Sequence, residues 1–336
     1  MLTRILKTAF ALAAIAVFIL FIWLAFELHV PRKITSDRII FEVPRGMGVN
    51  GVAEMLSRQG LIRSPHSFVV GYRLFFYPQK IQAGEYALAP PVKAKEILDL
   101  LVKGRVLLHS VTIPEGLTAL EIGPLVSPLL SDAEEGFAAA FRNTETIAAL
   151  DPRAENLEGY LYPETYSFPR GIEAGEVVAA MVNQFKAVFE EKWRERTRTL
   201  RMSLRQVVIL ASLIEKETSV PEEKRLVSAV FHNRLRIGMK LDCDPTIIYA
   251  LKLRGTYQGR LRKKDLAVDS LYNTYLYPGL PPGPICNPGR EALEAALYPT
   301  EEEFLYFVSK NNGSHHFSRT FTEHQNAVLR FQKTGK

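Results

Sequence analysis

Residues 8–26 are the feature that most constrains this chain, because they read TAFALAAIAVFILFIWLAF and carry no charge. At 1.5 Å per helical residue the run spans roughly 28 Å, close to the thickness of a bilayer core. Arg4 and Lys7 precede it, and Trp23 lies near its far end. Because positive residues stay on the cytoplasmic side, the pattern predicts a transmembrane helix with everything after Glu27 outside the cytoplasm.

A cleaved signal peptide is the alternative interpretation of this run. Signal peptides have a shorter apolar region, of about 7–15 residues, followed by small residues at the cleavage site. No small-x-small pattern follows Phe26. We therefore expect residues 1–28 to be a cytoplasmic stub and an uncleaved, single-pass anchor in the inner membrane.

The rest of the chain is long enough for two domains. Of the 336 residues, 47% are hydrophobic and 23% are charged, which is typical of a globular protein. The net charge of +6 fits simple solubility, or attraction to an anionic surface or polymer. Lys and Arg form no block interleaved with aromatic residues, so we expect no nucleic-acid partner.

Cys243 and Cys286 are the two cysteines. They would lie in an oxidising compartment, where a disulfide is one alternative and free thiols are the other. No CxxC motif or Cys/His pair indicates a metal site, and we expect neither metal nor cofactor.

Residues 29–37 are polar and predict a linker, and residues 38–113 predict a small subdomain. Its pattern indicates a strand at 38–43, helices at 49–59 and 64–75, and a strand at 83–88. Strand, helix, helix, strand is the order of a LysM-type module, which binds the glycan of peptidoglycan or chitin. A small α/β spacer is the other interpretation.

Residues 157–168 read LEGYLYPETYSF and predict a rigid, aromatic-rich loop. Aromatic rings suit the apolar faces of sugars, and they also pack into protein cores. Glu164 in this loop is therefore a candidate substrate-binding residue, or else a capping or salt-bridged carboxylate. Beyond the loop, residues 173–198 predict one long amphipathic helix.

Residues 206–217 predict a buried helix that ends in Glu215-Lys216-Glu217. Leu210, Leu213, Ile214 and Glu217 share one helix face, whereas Glu215 points about 200° away from Glu217. Burial raises the pKa of a carboxyl group, so Glu217 is the candidate general acid and Glu215 the solvated or structural residue. Ordinary terminal charges remain the alternative for both.

A second helix follows from 219 to about 238, with Asn233 and Arg234 as polar residues between apolar neighbours. Asp244 is expected to cap the next helix. Residues 278–284 are rich in proline and glycine and predict a stiff loop of the kind that lines clefts. Residues 304–308 predict a buried strand, with Phe317 and Ser318 in its hairpin partner.

Six motifs together resemble the YceG-like family, and they occur in order over most of the chain. They are EGYLYPETY (158–166), ASLIEKET (211–218), VFHNRL (230–235), DPTIIY (244–249), YNTY (272–275) and GLPPGPICNPG (279–289). The resemblance implies an α+β protein with an N-terminal transmembrane helix, a small LysM-like βααβ subdomain at 38–113 and a larger mixed α+β catalytic domain at 114–336.

The resemblance also implies a lytic transglycosylase that cuts peptidoglycan strands outside the inner membrane, with peptidoglycan synthases as partners. It implies a single catalytic glutamate, which corresponds to Glu217, with Thr218 where other lytic transglycosylases carry serine. We expect the sugar to be held by residues from the other motifs, namely Asn233, Tyr249, Tyr272, Asn273 and Glu164.

A lytic transglycosylase needs one carboxyl group, whereas a hydrolytic glycosidase normally needs two. Two other functions stay open on the sequence. One is a muramidase that uses water, with Asp242 or Asp244 as its second carboxylate. The other is a cell-wall-binding scaffold protein without activity.

Overall fold

The chain folds into two compact units, as seen in a computed structural model that describes residues 2–333. Unit 1 comprises the residues up to His109 together with Ser167–Gly171, and unit 2 comprises Ser110–Tyr166 and the residues from Ile172 onward. Helices and short two-stranded sheets occur together. The predicted α+β class with an N-terminal apolar helix is therefore confirmed.

Unit 1 begins with the apolar helix, which is the one helix among the described residues long and apolar enough to cross a membrane. The strands Ile39–Val43 and Gly84–Leu88 pair antiparallel, with the rings of Phe41 and Tyr86 stacked 5.6 Å apart. The elements in order are α1 (Leu2–His29), β1 (Ile39–Val43), α2 (Val49–Arg58), α3 (Pro65–Phe75), β2 (Gly84–Leu88) and α4 (Ala94–Val102).

The last turns of α1 belong to the hydrophobic core of unit 1. Leu24 and Leu28 are 6% and 1% exposed, and they share that core with Leu56 and Phe68. Gly71 on α3 lies so close that a Cβ there would be 2.9 Å from the Leu28 methyl groups. The end of the apolar helix is therefore built into the folded unit.

Unit 2 is mainly helical. Two further sheets are formed by Leu108–Thr112 with Thr165–Pro169 and by Tyr306–Ser309 with His315–Ser318. The elements in order are β3 (Leu108–Thr112), α5 (Ala119–Val126), α6 (Ala133–Arg142), β4 (Thr165–Pro169), α7 (Ala174–Val188), α8 (Glu191–Leu200), α9 (Leu204–Glu217), α10 (Pro221–Arg236), α11 (Asp244–Leu253), α12 (Arg290–Leu297), β5 (Tyr306–Ser309), β6 (His315–Ser318) and α13 (Phe321–Val328). The first residues of β3 and the last residues of β4 belong to unit 1.

Helix α9 lies at the centre of unit 2 and packs against α8, α10, α11 and α12. Its start is fixed by a capping box, in which Ser203 Oγ accepts from the Gln206 amide and Gln206 Oε1 accepts from the Ser203 amide. Residues 207–214 are all buried. Neighbours on every side explain why the sequence is apolar around the whole helix.

Two predicted elements differ from the observed ones. Residues 173–198 form two helices, α7 and α8, and not one, because the backbone leaves the helical region at Phe189. Phe185, Phe189 and Trp193 nevertheless stay in contact across the break, so their four-residue spacing could not reveal it. The predicted hairpin is confirmed by Phe307 opposite Phe317, but β5 is only partly buried.

Candidate active site

Glu217 is the last residue of the buried helix α9. Burial raises the pKa of its carboxyl group to about 7. A hydrogen bond from the Cys243 thiol and the positive charge of Arg234 lower this pKa, while the negative charge of Asp244 raises it. The residue keeps some accessible surface although protein atoms surround its carboxyl group. A protonated acid is therefore available near neutral pH.

The turn before α11 brings Cys243 and Asp244 to Glu217. Asp242 adopts a left-handed conformation with φ of +49°, which is uncommon for a residue other than glycine. The next amide, that of Cys243, donates to Thr274 Oγ1 at 3.0 Å. Thr246 Oγ1 lies 3.0 Å from the same hydroxyl. The YNTY segment thus fixes the turn that faces the acid.

Tyr275 and Arg234 complete the polar surroundings. The Tyr275 hydroxyl donates to Asp244 Oδ1 at 2.6 Å. The buried Arg234 guanidinium donates to the carbonyl oxygens of Leu305 and Leu241 at 2.7 and 2.9 Å, and to Asp242 Oδ2 at 3.3 Å. These bonds hold one positive charge and one carboxylate beside Glu217. Asp244 is the first residue of α11 and holds Tyr275, whereas the sequence predicted a helix cap.

Thr218 is buried and fastens the end of α9. Its hydroxyl accepts from the Val220 amide at 3.1 Å and donates to Glu223 Oε2 at 3.4 Å. Glu223 in turn accepts from the amide and the Nδ1 of His315 on β6, at 2.8 and 2.7 Å. Thr218 therefore links the candidate acid to the C-terminal hairpin.

Glu215 has a different role from Glu217. Its side chain is only 9% exposed, and its carboxylate lies 3.6 Å from the buried Lys224 ammonium. It also accepts from the Gly289 amide at 3.1 Å. Burial raises its pKa while Lys224 lowers it. Glu215 is thus a structural carboxylate, buried and not solvated.

Glu158 is a further buried carboxyl group, and the sequence did not single it out. It accepts from Asn287 Nδ2 at 2.9 Å, from the Ala119 amide at 3.1 Å and from the Tyr249 hydroxyl at 3.2 Å. Burial raises its pKa to about 7, while those donors lower it. Asn287 Oδ1 also accepts from the amides of Gly159 and Leu161. The hydrogen bonds of Glu158 and Asn287 therefore connect three of the six motifs.

The model of the YceG-like family matches residues 41–330, which is most of the chain. The chain belongs to the YceG-like family. The family membership predicted from the six motifs is therefore confirmed.

Two proteins similar to this YceG-like chain are named endolytic murein transglycosylase. The protein of Bacillus subtilis is 30% identical over 316 residues, which cover 89% of this chain and 86% of that protein. The protein of Streptococcus pneumoniae serotype 2 is 28% identical over 85% of this chain, which spans 58% of the length of that relative. A crystal structure of a YceG-like protein from Listeria monocytogenes has 30% identity and a TM-score of 0.58, covering 86% of this chain and 98% of the other.

The two asparagines predicted to bind substrate hydrogen-bond to the backbone of the YceG-like fold through their side-chain amides. Asn233 Nδ2 donates to the carbonyl oxygens of Glu302 and Phe304, and its Oδ1 accepts from Arg236. Asn273 is fully buried and donates to the carbonyl oxygens of Leu266 and Val268. These contacts lend no support to sugar binding by either residue.

The other three predicted residues differ in accessibility. Tyr249 is buried, and its hydroxyl is taken by Glu158. Tyr272 is partly exposed, with its ring 5.0 Å from that of Tyr249 and its pKa raised by burial to about 12. Glu164 is exposed and accepts from the Thr165 amide. Sequence reasoning missed Tyr275 and Cys243, although both lie in or next to motifs of the family.

Both cysteines are free and buried, so the disulfide alternative is not what the structure contains. Cys243 faces Glu217, while Cys286 Sγ donates to the Ser212 carbonyl oxygen at 3.4 Å. The two thiols therefore contact different residues of α9, Glu217 at its end and Ser212 in its middle.

A cleft of about 1490 Å³ is lined by Asn233 and other residues from the end of α10, and by residues from the start of α9. Arg205, Gln206 and Ile209 line it from the start of that helix. Glu217, Cys243 and Asp244 are not among its lining residues. This cleft by itself would therefore not have identified the buried acid.

Proposed function

We propose that this chain is a membrane-anchored, endolytic lytic transglycosylase of peptidoglycan. It cleaves the bond between N-acetylmuramic acid and N-acetylglucosamine within nascent strands and leaves 1,6-anhydro ends, which terminates glycan elongation. The observation that carries the proposal is the Glu217 carboxyl group, whose pKa is raised to about 7 and which has spare hydrogen-bonding capacity. The shared name of its relatives supplies the substrate.

In the proposed reaction Glu217 acts first as an acid and then as a base. The protonated carboxyl group gives its proton to the glycosidic oxygen as the bond from that oxygen to C1 of the muramic acid breaks. The C6 hydroxyl of the same sugar forms the new bond to C1, and its proton passes to the Glu217 carboxylate. The proton is restored and no water is consumed, so one carboxyl group suffices.

The surrounding residues support this assignment through charge. Burial raises the pKa of Glu217, the negative charge of Asp244 adds to this, and the Tyr275 hydroxyl fixes Asp244. Asp242 is paired with Arg234. Both aspartates are thus engaged by protein groups, which favours an auxiliary role over that of a second catalytic carboxylate in a muramidase.

We further propose that Tyr272 and Glu164 contact the glycan, since both keep accessible side chains. Asn233, Tyr249 and Asn273 would then shape the site from behind, through the hydrogen bonds described above. Each of these five roles can be tested by substituting the residue and measuring glycan cleavage.

The anchor and the small subdomain are part of the same proposal. α1 would span the inner membrane with its N-terminus in the cytoplasm, as residues 1–28, and residues 29–37 would lead to a LysM-like, glycan-binding subdomain at 38–113. The order β1, α2, α3, β2 supports that likeness. The burial of Leu24 and Leu28 in unit 1 favours an anchor over a cleaved signal peptide. Residues 114–336 would be catalytic, working beside peptidoglycan synthases.

The test is mass spectrometry of purified glycan strands incubated with the full chain in water enriched in ¹⁸O. The proposal predicts new ends that are anhydro sugars, without ¹⁸O. Reducing ends that carry ¹⁸O would instead identify a muramidase. Strands left uncut by a folded protein would identify a scaffold.

A further inference from the structure

We propose that unit 1 contacts the bilayer through a second surface, separate from α1. This surface, the α3 patch, consists of Val70, Leu74, Phe75 and Tyr77. We infer that it inserts into the headgroup region of the membrane that α1 spans. The inference rests on the proposed function in one respect, namely that α1 is a membrane anchor.

The α3 patch is an exposed apolar surface at the end of a well-packed helix. The opposite face of α3, at Ser67, Phe68 and Gly71, is buried. The patch side chains are exposed by 42%, 65%, 56% and 72% in chain order. Outside α1, the described residues of unit 1 expose only two other large apolar side chains, Ile40 and Leu108. Outside α1, the exposed apolar area of unit 1 is therefore concentrated in residues 70–77, as expected of an interaction site.

The position of α3 places this patch beside the end of the apolar span. Gly71 lies within the patch segment and packs directly on Leu28 of α1. The Arg63 guanidinium, just before α3, lies 5.3 Å from the centre of the Phe26 ring. It also donates to the Val30 carbonyl oxygen at 2.9 Å. If residues 8–26 cross the bilayer, the patch lies at the depth where the hydrocarbon gives way to headgroups.

The charges around the patch fit anionic phospholipid. Between Glu54 and Glu85 the chain contains no acidic residue. Arg73 lies among the patch residues and Lys80 follows them, and both are exposed without an ion-pair partner within the part of the chain that the structure describes. Basic residues next to a span are attracted to anionic lipid, and aromatic residues such as Tyr77 favour the interface.

Lipid is the occupant that the structure favours over a second protein. The bilayer is brought to the patch by α1 itself, within the same folded core, so contact requires no encounter with a partner. Apolar side chains with flanking basic residues are the composition of segments that lie in the membrane interface. With α1 and the α3 patch both in the membrane, unit 1 would keep a fixed tilt. With α1 alone, unit 1 could rotate about the axis of that helix.

Photocrosslinking tests this proposal on the full chain in nanodiscs of phosphatidylcholine and phosphatidylglycerol. Tyr77→p-benzoylphenylalanine probes the patch. Leu108→p-benzoylphenylalanine is the matched control, since Leu108 is an apolar residue of unit 1 that is 53% exposed. Phe18→p-benzoylphenylalanine, within the apolar span, reports whether α1 is inserted. Phospholipid adducts are detected by mass spectrometry of the peptides.

The expected result is a lipid adduct at positions 18 and 77, several-fold more abundant at 77 than at 108, and increasing with the phosphatidylglycerol content. An adduct at 18 without one at 77 would overturn the inference and leave the anchor intact. A crosslink from 77 to a second chain would also overturn it, in favour of self-association. Absence of adducts at all three positions would contradict the anchor itself, and with it this part of the proposed function.

Discussion

Glu217 and Glu158 lie in two regions of unit 2 that resemble each other in burial and differ in hydrogen bonding. In both, burial raises the pKa of a carboxyl group to about 7. Glu158 accepts from a backbone amide, an asparagine and a tyrosine. Among the described residues, the Cys243 thiol is the one group that lowers the pKa of Glu217 through a hydrogen bond.

The comparison shows that a raised pKa does not by itself identify a catalytic acid. A carboxyl group whose oxygens are already occupied by protein donors stabilises the fold, and it has nothing left for a substrate. A carboxyl group that is desolvated and sparsely bonded has both a proton and room for a partner. The second description fits Glu217 alone of the pair.

The largest expected effect is that of Glu217→Gln on catalysis. The amide cannot give or take the proton, so the rate of glycan cleavage should fall by roughly 10²–10⁴-fold, the usual contribution of a general acid–base. The assay counts anhydro ends per folded molecule.

Glu215→Gln is the matched control, two residues away on the same helix. Its carboxylate serves Lys224 and the Gly289 amide, so cleavage per folded molecule should stay within about tenfold of wild type, while stability falls through the loss of a buried hydrogen-bonded partner. If Glu215→Gln lost activity as completely as Glu217→Gln, the distinction between the two would be wrong.

The second effect concerns stability as a function of pH. The pKa of Glu217 rises from 4.5 to about 7 on folding, so its ionised form penalises the folded state. This penalty is absent below pH 4.5 and complete above pH 7. Glu217→Gln removes it and should raise the stability at pH 8 by up to about 3 kcal/mol, with no gain at pH 4.

Thermal unfolding of wild type and variant at the two pH values measures this difference. A gain of equal size at both pH values would show that the carboxyl group is not desolvated.

The third effect is structural. In Glu158→Gln the side-chain NH₂ group faces a cluster of donors, and at least one of them loses its acceptor. We expect a loss of about 1–3 kcal/mol of stability at pH 4, where the carboxyl group is protonated and burial imposes no ionisation penalty, and a smaller net change at pH 8, where the variant also removes that penalty. Cleavage per folded molecule should change less than tenfold. Urea unfolding together with the activity assay separates the two quantities, and a catalytic loss without destabilisation would reverse the assignment.

The smallest effect is electrostatic. Asp244→Asn removes the negative charge that raises the pKa of Glu217 but keeps an acceptor for Tyr275. The pH at which activity declines should move down by less than about one unit, with the low-pH rate nearly unchanged. A muramidase that uses Asp244 as its second carboxylate would instead lose activity at every pH.

Much of the fold could be predicted from the sequence because its signals are local. The uncharged run of α1, the capping box at Ser203 and the apolar run of α9 depend on neighbouring residues. The break between α7 and α8 did not appear in the pattern, since Phe185, Phe189 and Trp193 stay together on either side of it.

The candidate site was predictable in part. The shared helix face favours Glu217 over Glu215, but both are largely buried because α9 is covered on every side. What separates them is their partners, which lie up to 74 positions away in the case of Gly289. Glu158 was missed for the same reason, as its donors come from distant segments. The one signal that could have found it was its place in the EGYLYPETY motif.

The most direct test of Glu217 as the catalytic acid is the pH dependence of the cleavage rate in wild type and in Glu158→Gln. If protonated Glu217 is the acid, both proteins will show a rate that declines as pH rises through about 7. A wild-type rate that stays flat to pH 9, or a decline that disappears when Glu158 is replaced, would contradict the central claim.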